Sequence, residues 1–342
     1  MSKIKTAIIG FGLSGKYFHA PFLISNSNFE IKKVLSSREA EVKETLPHCE
    51  VVKNIEDIIS DNSIELVINC APNKLHYEYS KLALESGKHV VVEKPFVIDP
   101  KNGRDLIDLA KKKNLTLAVF HNRRWDGDFK TIKSLIEKNE LGEIKEFESR
   151  FDRFRPNTRP EKWREQNEAG AGVLYDLGPH LIDQAISLFG MPKKIQADLG
   201  FQKGNIGVDD YFHLVLIYES LRVILHSTSF GDTSARFRIH GSKKSFVKYG
   251  LDSQENSLKA GANPSDTDFG NDPQDTYGKI VDCESGKTES VPTQRGSYHE
   301  FYEKLYLSIR NNEEFPISNE VALSIIDIIA KIKEGQSEIQ FS

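Results

Sequence analysis

At 342 residues the chain is longer than one compact core usually holds, so two domains are expected, and 38% hydrophobic with 28% charged residues is the make-up of a water-soluble globular protein. A net charge of −4 gives no general attraction for nucleic acid or anionic membrane, which argues against both as partners. Cys49, Cys70 and Cys283 form no zinc spacing and fit inert thiols in a reducing cytosol. No apolar run approaches the roughly 20 residues a membrane span needs, and "MSKIKTAIIGFG" runs almost directly into a strand, so a cytoplasmic protein without signal peptide is expected.

The opening 120 or so residues keep switching hydrophobic period. "KTAIIG" reads as a buried strand, "GKYFHAPFLISN" as a helix, "FEIKKVLSS" as a strand, "IEDIISD" as a short helix and "IELVINCAP" as a strand. "KLHYEYSKLALESG" places Leu75, Tyr79, Leu82 and Ala83 on one helical face, with Gly87 as its C-terminal cap. "HVVVEK" follows as a strand, "PKNGRDLIDLAKKKN" as a helix and "LTLAVF" as a strand. Such alternation predicts parallel strands joined by right-handed crossovers, a doubly wound Rossmann sheet over residues 1–122.

The first turn, "GFGLSG", carries Gly10, Phe11, Gly12, Leu13, Ser14 and Gly15. Between a strand and a helix this spacing is a dinucleotide fingerprint. Gly10 permits the tight turn, Gly12 lets a pyrophosphate approach the backbone, and Gly15 lets helix and strand pack closely. At the end of the second strand a carboxylate would accept from the ribose 2′-hydroxyl of NAD. The chain has Ser36, Ser37 and Arg38 there, which suit a 2′-phosphate, so NADP(H) is favoured and NAD(H) stays possible.

"VVVEKPFVID" ends a buried strand on Glu93, Lys94 and Pro95. Charges beside such a run emerge at its carboxyl end, where open α/β sheets keep their ligands, so Glu93 is expected to line the cofactor and Lys94 to face the substrate. "AGAGVLYDLGPHLIDQAISLFG" carries an apolar helical stripe of Leu174, Leu177, Leu181, Ala185 and Leu188, with Asp176, His180 and Asp183 on another. Pro179 is awkward inside a helix and predicts either a kink or a helix start there. Oxidising a secondary alcohol needs a base for the hydroxyl proton and a charge to stabilise the alkoxide. His180 suits the first, Asp176 would orient its ring, and Lys94 suits the second.

These motifs resemble the glucose–fructose oxidoreductase/inositol dehydrogenase (Gfo/Idh/MocA) family over essentially the whole length. An EKP element after a strand, with DxGxHxxD about 80 residues later, is fairly specific to it. The resemblance implies that Lys94, Asp176 and His180 are the catalytic set and that the Lys94–Pro95 bond is cis. It also implies that His76, after Pro72 and Asn73, approaches the nicotinamide. "GLSGKYFHAPF", "HNRRWDGDF", "FDRFRP" and "LYDLGPHLIDQ" look nearest to the branch containing NADP-dependent scyllo-inositol dehydrogenases. Its implication is hydride transfer between NADP(H) and a secondary alcohol or ketone of a cyclic polyol or sugar. The same fold acting on another carbonyl, or serving as a non-catalytic NAD(P)-binding sensor, is the alternative.

From residue 123 to 342 the alternation breaks. "EIKEFESRFDRF", "KIQADLGFQ", "DYFHLVLIYES", "LRVILHSTSF" and "ARFRIHGSKKSFVKYG" read as successive strands of an α+β domain with a large, mostly antiparallel open sheet. Tyr211, His213, Val215 and Ile217 alternate with Phe212, Leu214, Leu216 and Tyr218, so both strand faces are substantially apolar. One face would lie under the DxGxH helix and the other against a second copy, predicting a homodimer or homotetramer through this sheet. Asn122, Arg123 and Trp125 are candidate polyol contacts, as are Arg153 and Trp163. Residues 251–297 are polar and read as a lid or as an arm against a neighbouring subunit, with a hairpin at "CESGKTE". Two helices close the chain, the second capped by Ser318 or Asn319. No metal-ligand cluster is expected.

Overall fold

The computed structural model describes residues 2–341 except 160, 162–164, 205, 206 and 232. The chain divides into two units: Met1–Asn122 with Gln254–Phe269 and Ser297–Ile326, and Arg123–Ser253 with Gly270–Gly296 and Asp327–Ser342.

In the first unit the strands are β1 (Ile4–Ile9), β2 (Phe29–Leu35), β3 (Glu50–Val52), β4 (Leu66–Asn69), β5 (His89–Val92) and β6 (Leu117–Val119). They pair in the order β3-β2-β1-β4-β5-β6, every pair parallel. This is the doubly wound order whose reversal between β1 and β4 opens a crevice at the strand carboxyl ends. The connecting helices are α1 (Ala20–Ser25), α2 (Glu39–Thr45), α3 (Glu56–Ile59), α4 (His76–Glu85) and α5 (Pro100–Lys113).

Val90, Val91 and Val92 of β5 are fully buried, each contributing roughly 1.5–3 kcal/mol of burial. Val90 and Val92 share a core with Val67, Leu106 and Ile107, and Leu75, Tyr79 and Leu82 pack against it from α4's side. The limits of α5 follow from its ends. Asp99 accepts from the Lys101 amide at 2.9 Å, Pro100 takes the first turn, and Asn114 closes the helix in the left-handed region at φ +53°.

Two features depart from the expected pattern. Residues 39–52 contribute α2 and the short edge strand β3. The helix after the glycine turn begins as a π-turn over Ser14–His19 before becoming α1.

The second unit holds α6 (Gly127–Glu137), β7 (Ile144–Arg150), α7 (Val173–Phe189), β8 (Lys194–Gly200), β9 (Tyr211–Ile217), β10 (Arg222–Ser227), β11 (Phe237–Gly241) and β12 (Lys244–Lys248). Further along come β13 (Gly278–Asp282), β14 (Thr288–Val291) and β15 (Glu338–Gln340). The nine strands run β14-β13-β12-β11-β7-β10-β9-β8-β15, antiparallel except for β7–β10. "ARFRIHGSKKSFVKYG" is thus a hairpin rather than one strand. Helix α7 packs on β9 and β10, with Phe212, Leu214 and Leu216 fully buried. The alternate residues Tyr211, His213, Val215 and Ile217 are half-buried on the opposite face.

The polar stretch 251–297 is built into both units. Helix α8 (Gln254–Lys259) packs on the π-turn, and the Gln254 side chain accepts from the Tyr298 amide at 2.9 Å. Strands β13 and β14 form the hairpin expected at "CESGKTE" and extend the large sheet. Helices α9 (His299–Asn311) and α10 (Asn319–Lys333) follow, and the Ser318 hydroxyl accepts from the Glu320 amide at 3.2 Å, which settles the cap on Ser318. No helix among the described residues is long and apolar enough to cross a membrane.

Candidate active site

The glycine turn after β1 shows three different demands. Gly10 sits at φ +87°, and a Cβ there would stand 2.7 Å from the Cys70 carbonyl oxygen at the β4 tip. A Cβ on Gly15 would stand 2.3 Å from the Gly10 carbonyl oxygen, so helix and turn touch backbone to backbone. At Gly12 a Cβ would meet nothing within 4 Å. That open flank leaves room for a ligand against the main chain, and the residues present fit a dinucleotide pyrophosphate. Phe11 is buried and Leu13 exposed.

At the β2 tip the Ser36 hydroxyl accepts from the Arg38 amide at 3.0 Å, while Ser37 and Arg38 are exposed. Glu39 lies at the start of α2, 3.5 Å from the Lys53 ammonium. Lys53 itself donates to the Ser36 carbonyl at 3.1 Å. It is a second cation at this tip which the sequence reading missed, because it follows a strand too short to show a period. Noticing that "EVV" would pair with β2 was the available signal.

At the β5 tip Glu93 and Lys94 directly follow the strand, and the Lys94–Pro95 bond is cis. Glu93 is buried. Its carboxylate accepts from the Ser14 hydroxyl, from His19 Nε2 at 3.2 Å and from the Lys94 amide at 3.0 Å. Burial pushes its pKa up, but His19, Ser14 and Lys94 outweigh this and hold it down at about 2. Pro72 and Asn73 open a 3₁₀ turn leading into α4. The His76 ring nitrogens lie 2.8 Å from the Pro95 carbonyl and 2.9 Å from that of Ala71, and burial pushes its pKa down. His76 therefore ties the β4 tip to the proline loop. Burial, then the Glu93 charge, raise the Cys70 thiol well above its usual range, which leaves it inert.

In the second unit α7 carries Asp176 and His180 one turn apart, with Pro179 inside a continuous helix. The helix does not start at the proline because its first turn is held from outside. The Asp209 carbonyl accepts from the Val173 amide at 2.9 Å, and its carboxylate from the Leu174 amide at 2.7 Å. Gly172 at φ +98° is obligatory there, since a Cβ would lie 2.3 Å from Asp209 Oδ1. Lys333 pairs with the same carboxylate.

Asp176 lines an open pocket together with Phe151, Arg153, Arg155, Lys203 and Thr228. His180 is buried. Asp183 is held by Arg124 through two bonds of 2.8 and 2.7 Å. The Gln184 amide donates to the Arg123 carbonyl at 2.9 Å.

Among the substrate candidates, Arg153 lines the pocket with Asp176. Arg123 and Trp125 are buried in a 3₁₀ turn that begins at Asn122, and none of the three is among the pocket's lining residues. Arg123 instead lies over the Phe151 ring at 4.8 Å and bonds Asp126 at 3.2 Å. Trp163 falls outside the described residues. Among the described residues no group of three His, Cys, Asp or Glu could hold a metal ion.

Comparison with known proteins matches both parts of the chain to one family. Residues 4–121 match the model of an oxidoreductase family's NAD-binding Rossmann fold, and 133–340 match that family's C-terminal α/β domain. The scyllo-inositol 2-dehydrogenase (NADP⁺) IolW of Bacillus subtilis is 42% identical over 98% of this chain and 94% of its own. The uncharacterized oxidoreductase YdgJ of Escherichia coli is 42% identical over 95% of this chain and 94% of its own. The solved structure of the Bacillus subtilis oxidoreductase YvaA superposes with a TM-score of 0.95 at 41% identity, covering 100% of this chain and 99% of that one. A Rossmann sheet with a dinucleotide turn, followed by a largely antiparallel nine-stranded sheet under a DxGxH helix and matched in both parts by one family, makes this chain a member of the Gfo/Idh/MocA oxidoreductases.

Proposed function

We propose that the protein is an NADP(H)-dependent dehydrogenase or reductase acting on a secondary alcohol or ketone of a cyclic polyol or sugar, with scyllo-inositol and its ketone the first substrates to try. The observation that carries this reading is the bond between the two ligand-facing strand tips. Ser14 of the glycine turn donates to Glu93, so the turn that would seat the cofactor and the residue preceding Lys94 form one hydrogen-bonded piece. The relative named for scyllo-inositol and NADP⁺ supports the substrate class and the cofactor.

Gly10–Gly15 would hold the pyrophosphate, and Ser36, Ser37 and Arg38, joined by Lys53, the 2′-phosphate. When bound, the nicotinamide accepts or supplies the hydride. His180 takes the hydroxyl proton in oxidation and returns it in reduction, and Asp176 orients the imidazole. Lys94 stabilises negative charge as it develops on the substrate oxygen. Arg153, in the pocket that Asp176 lines, offers a guanidinium to the remaining hydroxyls. The half-buried face of β9 supports self-association through the large sheet.

The test is consumption of NADPH and of NADH against a panel of inososes and ketoses. Turnover of at least one cyclic ketone, with NADPH preferred by more than about tenfold, is expected. Tight NADPH binding without turnover of any carbonyl would instead make the protein a cofactor-binding sensor.

A further inference from the structure

The geometry points to His19 and Tyr302 as positioning residues that act through Glu93 on the cofactor turn and on Lys94. This rests on the hydride-transfer reading above but concerns residues which that reading does not use. Ser14–His19 forms a π-turn, a wider coil that carries one more residue than an α-helical turn and often marks functional sites. Here the coil puts Ser14 at its start and His19 at its end onto the same carboxylate oxygen. An ionised carboxylate can only accept, so the ring's Nε2–H donates to Glu93 Oε1 at 3.2 Å, beside the Ser14 hydroxyl. The other carboxylate oxygen takes the Lys94 amide at 3.0 Å.

The ring is fixed on its far side by α9. The Tyr302 phenol oxygen lies 2.8 Å from His19 Nδ1 and 3.1 Å from the Phe18 carbonyl. Both side chains have no exposed surface. Phe120 lies with its ring centroid 4.2 Å from that of His19, and Phe22 stacks on Tyr302 at 5.8 Å.

Stability alone does not explain a polar chain in such a place. A buried ion pair is often matched or bettered by apolar residues of the same volume, and Phe22 and Phe301 already pack against Tyr302. What the chain does supply is a fixed Glu93, and through it a fixed Ser14 hydroxyl and Lys94 main chain. The device orients two functional elements with one carboxylate.

The experiment compares His19→Asn, His19→Gln and Tyr302→Phe. An amide nitrogen of Gln reaches roughly where Nε2 lies, and one of Asn only as far as Nδ1. Two readouts are taken: NADPH affinity from nucleotide fluorescence, which needs no substrate, and kcat and KM on the best ketone. His19→Asn should weaken NADPH and lower kcat by about tenfold each, at little change in KM for the ketone. His19→Gln should restore both to within about threefold. Tyr302→Phe, which keeps its ring stacking, should lower both by about threefold.

Unchanged values in a folded His19→Asn variant overturn the inference, as does failure of His19→Gln to rescue, which would make ring packing the relevant property. Should His19→Asn fail to fold, Tyr302→Phe decides, and wild-type affinity and kcat there overturn it. If the wild-type protein binds NADPH but reduces no ketone, the proposed function fails, while the affinity changes still test the positioning.

Discussion

Arg38 and Lys53 divide the cofactor question at the level of single side chains. Neither is buried, and each now rests near a carboxylate, Glu41 at 3.8 Å and Glu39 at 3.5 Å. Exposed pairs of this kind contribute at most about 1 kcal/mol, so a doubly charged phosphate can draw both cations away. Arg38→Ala and Lys53→Ala should each weaken NADPH by about tenfold and NADH by less than about twofold, measured by nucleotide fluorescence. Equal losses for both nucleotides would mean that the 2′-phosphate is read elsewhere. Glu93 gives a pH prediction. Its folded pKa of about 2 lies below its ordinary 4.5, so the stability it contributes is complete above pH 4.5 and is lost as pH falls from there toward 2. Glu93→Gln should flatten acid unfolding across that window and cost up to about 3 kcal/mol at neutral pH in urea titrations. An unaltered acid transition would show that the carboxylate is not held in this way.

The elements differ in how plainly their residues announce them. Val90–Val92 and the glycine turn are legible because burial on both faces and a backbone-only approach each leave a local mark. Lys94, Asp176 and His180 stand out in the sequence because a spaced motif surrounds them. β3 could not be read, since three residues on an edge carry no period. The π-turn could not either, because nothing local distinguishes "SGKYFH" from an α-helical turn; the partners of its Ser14 and His19, Glu93 and Tyr302, come from distant parts of the chain. Helix α7 shows the same limit. Pro179 suggests a start or a kink, yet the helix starts six residues earlier because Asp209, 35 residues downstream of Leu174, accepts from its first amides. Asp209→Ala should therefore cost about 1–2 kcal/mol in thermal or urea unfolding and raise KM for the ketone, since Asp176 lies in the first turn so held. A variant with unchanged stability would mean that the cap is dispensable.

At the scale of the whole molecule, the large sheet has one face under α7 and another that is half-buried. On that second face Val215 stands opposite Ile224 across β9 and β10, with His213 and His226 beside them at 3.2 Å between ring nitrogens. Apolar residues flanked by polar ones fit an interface with a second copy better than a solvated surface. Light scattering at micromolar concentration should give a dimer or tetramer, and Val215→Arg should shift it to monomer without loss of secondary structure. A monomeric wild-type protein would remove the sheet from the assembly.

Lys94 is expected to serve the chemical step and not the seating of the cofactor. The most direct measurement is kcat and NADPH affinity of Lys94→Ala on a ketone that the wild-type protein reduces. A fall in kcat of at least about a hundredfold, with NADPH affinity within about threefold of wild type, is expected. A kcat near the wild-type value, or a loss confined to NADPH affinity, would contradict it.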